Sequence, residues 1–126
     1  MTDQAFTIVG LDHVQLAAPR DCEAAARTFY GELLGLTEIA KPPTLAARGG
    51  VWFQAGLQAI HIGIQEPFAP ARKAHPALLV EHVDALAERI AAAGVAVTWD
   101  DNLPGYRRCY VDDPWGNRIE LLEPIG

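Results

Sequence analysis

Cysteine is scarce in this chain of 126 residues. Only Cys22 and Cys109 occur, too few for a disulfide framework and without CxxC spacing. Both read as reduced thiols, with Cys22 on the buried face of a helix. Long apolar runs are missing as well: none approaches the ~20 residues that cross a bilayer. Basic charge is in deficit, with 10 Lys and Arg against 16 Asp and Glu and a net charge of −6. No basic stripe is present to track a phosphate backbone, so nucleic acid is not an expected partner, and neither is an anionic membrane surface. Met1-Thr2-Asp3-Gln4 lack the basic start and apolar stretch of a secretory leader, so the expected location is cytoplasmic. What is present is ordinary for a globular protein: half the residues are hydrophobic and 21% are charged. The length suits one domain over residues 1–126.

Two segments carry a helical period. Cys22, Ala25, Ala26, Phe29, Tyr30, Leu33 and Leu34 fall on one face at steps of three and four, with Asp21 as the expected N-cap and Gly35 as the stop. Val83, Leu86, Ala87, Ile90 and Ala93 repeat the pattern, with His82 or Glu81 at the cap and Gly94 at the end. Each helix follows a strand-like run that opens near a histidine, at residues 11–16 and 75–80. Each is followed by three more strand candidates: 36–40, 51–55 and 58–65 after the first, and 95–100, 106–111 and 117–122 after the second. His13 lies 48 positions before His61, and His75 lies 45 before Glu120. The chain therefore reads as an internal repeat of two β-α-β-β-β modules, at about 7–66 and 74–124, an α+β architecture. Residues 66–74, with Pro67 and Pro70, form the expected exposed connector.

Strand side chains alternate between faces. Ile60, Ile62 and Ile64 share one face, with His61 and Gly63 on the other. Val14 and Leu16 oppose His13 and Gln15, and Ile119 and Leu121 oppose Arg118 and Glu120. In each strand the apolar row needs a helix to cover it, while the polar row suits the wall of a concave small-molecule site. Three imidazoles and a carboxylate are chemically a plausible donor set for a divalent metal.

Three stretches carry a family resemblance: Leu11-Asp12-His13-Val14; Phe29-Tyr30-Gly31-Glu32-Leu33-Leu34-Gly35-Leu36; and Asp113-Pro114-Trp115-Gly116-Asn117-Arg118-Ile119-Glu120. With the duplicated order, the chain resembles the vicinal oxygen chelate superfamily of glyoxalase I, bleomycin-resistance proteins and extradiol dioxygenases. The resemblance covers essentially the full length. It implies paired βαβββ modules whose mixed sheet curls into a U, with the helices on the convex side. It also implies a homodimer with sites shared between subunits. Carried over by position, the metal ligands are His13, His61, His75 and Glu120. His61 departs from the glutamate or glutamine usual there in the metal-dependent isomerases. The implied cofactor is a divalent ion, Zn, Ni, Mn or Fe, acting as a Lewis acid on a small substrate with vicinal oxygens in a glyoxalase-like lyase or isomerase. His61 and Glu120 would be the catalytic pair. Two alternatives stand beside this reading. One is a bleomycin-resistance-type binding protein without catalysis. The other is an Fe(II) extradiol-like dioxygenase or a fosfomycin-resistance-like transferase.

Substrate contacts are expected from Tyr110, Arg108, Trp52 and Gln15. Tyr110 stands in a Tyr-x-x-Asp-Pro-x-Gly stretch similar to that of extradiol dioxygenases, but the histidine those enzymes carry upstream is absent from Asp101-Asn102-Leu103-Pro104. Arg108 shares the face of Tyr110 by parity and is the first choice for a substrate anion. His82, at a helix start, reads as a surface or capping residue.

Overall fold

The computed structural model describes residues 5–126; Met1-Thr2-Asp3-Gln4, read above for the lack of a leader, lie outside them. In the first half, strand β1 (His13–Ala18) leads into α1 (Glu23–Ala26), which continues as a π-helix (Arg27–Leu33). Strand β2 (Thr37–Ile39), the short helix α2 (Pro43–Ala46), β3 (Val51–Ala55) and β4 (Gln58–Ile64) complete it. The second half runs β5 (Ala77–Leu79), α3 (Val83–Ala92), β6 (Thr98–Asp100), β7 (Tyr106–Asp112) and β8 (Arg118–Pro124). Each half forms a four-stranded mixed sheet, in the orders β1-β4-β3-β2 and β5-β8-β7-β6. In both, the first and last strands of the module pair in parallel and the other neighbours are antiparallel. This is the α+β arrangement of paired βαβββ modules. Among the described residues no helix is long and apolar enough to cross a membrane.

Alternation explains the core. Leu16, Ile60, Ile62, Val51 and Phe53 from the first sheet pack in one buried cluster with Ala26, Phe29 and Tyr30 from the first helix. Cys109, Val111, Ile119 and Leu121 from the second sheet join Val83, Ala87 and Ile90 of α3 in the same cluster. The polar rows are thereby left on the opposite faces. The turn into β3 depends on Gly50, which has a φ of 84°. A Cβ there would overlap the Ile62 carbonyl, so only glycine lets β3 approach β4 so closely.

The helix starts differ from expectation. Asp21 adopts a left-handed φ of 65°, and Cys22 takes the N-cap position with no side-chain cap bond. The helix then widens into π turns, Leu34 N–H donating to the Phe29 carbonyl. At α3, His82 does occupy the cap position, with φ 63°. Its own side chain makes no cap bond; instead the Glu123 carboxylate of β8 accepts the His82 and Val83 N–H groups at 2.9 and 3.0 Å. A carboxylate at a helix N-terminus satisfies free N–H groups and favours the dipole. The π-helix contributes Tyr30 to a buried polar knot described below.

Both cysteines are buried and unpaired. Burial pushes the Cys109 thiol up to about 11; burial, then the charge of Glu23, raises that of Cys22. A thiol held protonated and out of solvent is a poor nucleophile. Titration of the folded protein at pH 8 with a thiol-reactive disulfide should therefore give close to zero thiols per chain, and two after unfolding. A rapid reaction with the native chain would contradict this burial.

Candidate metal and substrate site

The four ligand-type residues gather two by two. In the first sheet, Trp52 and His61 are cross-strand partners on β3 and β4, and β1 brings His13 against them. The three rings stack: Trp52 on His61 at 3.9 Å between centroids, and His61 on His13 at 4.0 Å. His61 is buried in this sandwich while His13 stays exposed. Burial, with the charge of His13 second, holds the His61 pKa below the ordinary imidazole value, which favours a neutral ring. His13 Nδ1 faces the Asp12 carboxylate at 2.9 Å, the type of contact that orients a metal-binding imidazole and leaves Nε2 outward. Gln15, the register partner of His61, lays its carboxamide over the space where Gly63 lacks a Cβ.

In the second sheet, His75 Nε2 meets Glu120 Oε1 at 2.9 Å. The other ring nitrogen, Nδ1, lies 2.8 Å from the Lys73 carbonyl oxygen. A carbonyl only accepts, so Nδ1 carries a proton. The electron pair of Nε2 then points at a carboxylate oxygen, an arrangement that calls for a cation, either a second ring proton or a metal ion. Burial alone would raise the Glu120 pKa; hydrogen bonds from His75 and Arg108 outweigh it and hold the carboxyl below the usual glutamate value. Arg108 donates Nη1 to Glu120 Oε2 at 3.2 Å and grips Asp100 Oδ1 through Nε and Nη2. Tyr110 is the cross-strand partner of Glu120. Its ring meets His75 edge-on at 5.5 Å and carries Arg118 over it at 3.9 Å.

The sequence expectation of one four-residue cluster meets a division here. Among the described residues, no group of three or more His, Cys, Asp or Glu side chains is close enough to hold one ion. The donor types, imidazole nitrogen and carboxylate, are those that divalent ions take, but the His13 and His61 rings lie face to face, with their nitrogens in near-parallel planes. A cleft of about 1100 Å³ runs between β1 and β5, lined by His13 and Gln15 of β1 with Leu11 before it, and by Ala77 and Leu79 of β5 with His75 before it, but not by His61 or Glu120. Each of β1 and β5 is the edge strand of its sheet.

Sequence reasoning also passed over the work of Asp113 and Asn117, seen there only as part of a family-like stretch. Asp113 Oδ2 accepts the Tyr30 hydroxyl at 2.7 Å and Asn117 Nδ2 at 2.9 Å; its Oδ1 accepts the backbone N–H groups of Trp115 and Asn117. Asn117 Nδ2 also donates to the Ala17 carbonyl, and its Oδ1 accepts from Ala71 N–H. One turn thus joins β1, the π-helix and the connector, and it starts β8 on the register that turns Glu120 to the polar face. Burial, together with the Asp113 carboxylate, pushes the Tyr30 hydroxyl well above its ordinary range.

A family model described as the Glyoxalase/Bleomycin resistance protein/Dioxygenase superfamily matches residues 10–121. A glyoxalase family protein from Bacillus anthracis is 48% identical in sequence, with a TM-score of 0.94 over 97% of this chain and 100% of that one. A lactoylglutathione lyase from Agrobacterium tumefaciens shares the fold at 23% identity and TM-score 0.71, over 92% and 94% of the two chains. The fosfomycin resistance protein FosX from Listeria monocytogenes does so at 23% and 0.73, over 94% and 96%. No curated protein matches.

Proposed function

This chain belongs to the Glyoxalase/Bleomycin resistance protein/Dioxygenase superfamily, and from that membership we propose that it is a glyoxalase-like, metal-dependent lyase or isomerase acting on a small substrate with vicinal oxygens. The observation that carries the reading is the His75–Glu120 pair, in which Nε2 lies 2.9 Å from Oε1 while Nδ1 faces the Lys73 carbonyl oxygen. His13 and His61 are the other two ligands. Two copies of the chain supply one shell, His13 and His61 from one and His75 and Glu120 from the other. The surface supports a dimer. The chain exposes 8293 Å² at a mass of 13.6 kDa, whereas a compact monomer of that mass exposes about 6,600 Å². Part of the excess is apolar: Ile8, Val9, Leu11 and Leu79 are all exposed, and Leu11 and Leu79 line the cleft between β1 and β5.

A divalent ion bound there supplies Lewis acidity toward two adjacent substrate oxygens. The chain's own part is to hold and move a proton. Glu120 is ionised at neutral pH because His75 and Arg108 stabilise its charge, and His61 is kept neutral by burial; Glu120 can accept a proton from substrate carbon, and so can His61 once its free nitrogen leaves the ion. Trp52 fixes the His61 ring by stacking.

The test is complementation. One variant carries His13→Ala and His61→Ala, the other His75→Ala and Glu120→Ala. Neither alone should retain a divalent ion. Co-expressed, they should recover about a quarter of the wild-type ion content, because random two-fold pairing leaves one intact shell in each mixed dimer. No recovery beside a metal-replete wild type would overturn the shared shell; a wild type that takes up no Mn, Ni, Zn or Fe would overturn the metal-dependent reading. It would leave a small-molecule binding protein, a reading that the apolar cavity described next also suits.

A further inference from the structure

The arginines of the second sheet are not equivalent. Arg107 is held by Asp84, and Arg108 by Asp100 and Glu120. Arg118 is half-buried, yet among the described residues its guanidinium makes no ion pair or hydrogen bond. Its side-chain contact is the Tyr110 ring, 3.9 Å below. The cross-strand neighbour Asp112 is exposed and forms no ion pair with it, and the Asp113 carboxylate is taken by Tyr30, Asn117 and Trp115. Burying part of a guanidinium without a counter-charge is costly, and this one lines a cavity.

That cavity, of about 870 Å³, lies between the π-helix and the second sheet. Its walls include Phe29, Leu33, Val95 and Val111, with Thr28, Thr98, Asp112 and Asp113 as polar neighbours of Arg118. The volume suits a small molecule. The walls ask for an apolar body, and the one unpaired cation asks for an anion.

We infer that this cavity binds a small carboxylic acid with an apolar body, its carboxylate held by Arg118 against the Tyr110 ring. A planar guanidinium matches a carboxylate through two parallel N–H···O bonds, and stacking on Tyr110 leaves the edge of the fork, which carries those N–H groups, open to a ligand. Arg118 and Glu120 lie on the same face of β8, two residues apart, about 7 Å along the strand. Neither His75 nor Glu120 lines this cavity, so capture of the anion does not rest on the metal reading above.

The experiment uses the metal-free 126-residue chain, treated with chelator and dialysed, so that failure of the metal reading leaves it intact. Benzoate, its uncharged counterpart benzamide, and inorganic phosphate are titrated by calorimetry, with amide NMR shifts to place the site. Benzoate should bind the wild type at least about tenfold more tightly than benzamide or phosphate, shifting the amides of Phe29, Tyr110 and Arg118. Arg118→Met should weaken benzoate at least about tenfold without lowering the melting temperature appreciably, and Arg118→Lys should recover part of the loss. Equal binding of benzoate and benzamide by the wild type would overturn the proposal without recourse to any variant. So would phosphate binding as tightly as benzoate, or unchanged benzoate affinity in a folded Arg118→Met protein.

Discussion

Replacing Glu120 with alanine is expected to cost at least about 100-fold in divalent-ion affinity, since even outer partners of metal ligands are worth 10- to 100-fold. The loss has two parts. The shell loses its one anionic donor, and His75 Nε2 loses the atom it faces at 2.9 Å. Arg108 would lose one carboxylate but keep Asp100, so its side chain should stay in place and the fold should tolerate the change. Ion content after gel filtration, measured by elemental analysis, should fall from about one per chain to near zero. Glu120→Gln separates charge from shape: it preserves volume and one carbonyl oxygen, so full metal content in the Glu120→Gln protein would remove charge from the argument. Retention of wild-type ion content by Glu120→Ala would exclude Glu120 as a ligand.

Asp113→Ala should be the most destabilising single change outside the apolar core, at about 3–5 kcal/mol. The carboxylate is buried and accepts four hydrogen bonds, from the Tyr30 hydroxyl, the Asn117 side chain, and two backbone N–H groups. Truncation orphans the Tyr30 hydroxyl and the Trp115 and Asn117 N–H groups at once and removes one of the acceptors of the Asn117 side chain. Leaving buried donors unpaired costs more than the bonds themselves contribute. Because domain stabilities are about 5–15 kcal/mol, this change should reduce the urea midpoint sharply. Tyr30→Phe removes only one donor and should cost about 1–2 kcal/mol. A loss below about 1 kcal/mol for Asp113→Ala would mean that the knot does not hold the modules together.

The two predictions separate what the family-like motif does. In Asp113-Pro114-Trp115-Gly116-Asn117-Arg118-Ile119-Glu120, the first part is structural. Asp113 closes the turn and Asn117 reaches the Ala17 carbonyl, 100 positions earlier. The last part carries the side chains of the proposed sites, with Arg118 and Glu120 on one face of β8 and Ile119 in the core. A signature that looks like one unit therefore holds two functions in series. The turn sets the register, and the register decides which side chains face the ligand.

The parity of each strand was legible in the sequence because it is local. Once Ile60, Ile62 and Leu16 demand cover, His61 and Gln15 must face the other way. The repeat, the two helices and their glycine stops at Gly35 and Gly94 follow from the same short-range patterns, and both glycines take the left-handed φ that a stop needs. The local caps were less legible. Asp21 looks like an N-cap, but α3 is capped by Glu123, 40 positions beyond Val83, and no local pattern encodes a contact of that span.

The sequence by itself determined the class of fold, the two-module order and which strand positions carry ligand-type side chains. Each of these rests on periodicity, turn chemistry or side-chain type, which neighbouring residues settle among themselves. Only the tertiary structure decided how those residues group. It gathered His13 with His61 and His75 with Glu120, spent Arg108 on Asp100 and Glu120, and left Arg118 unpaired over Tyr110 beside a cavity. Those outcomes depend on which strands lie side by side and on where the packed helices place one sheet relative to the other. Such long-range distances are not written in any single stretch of chain.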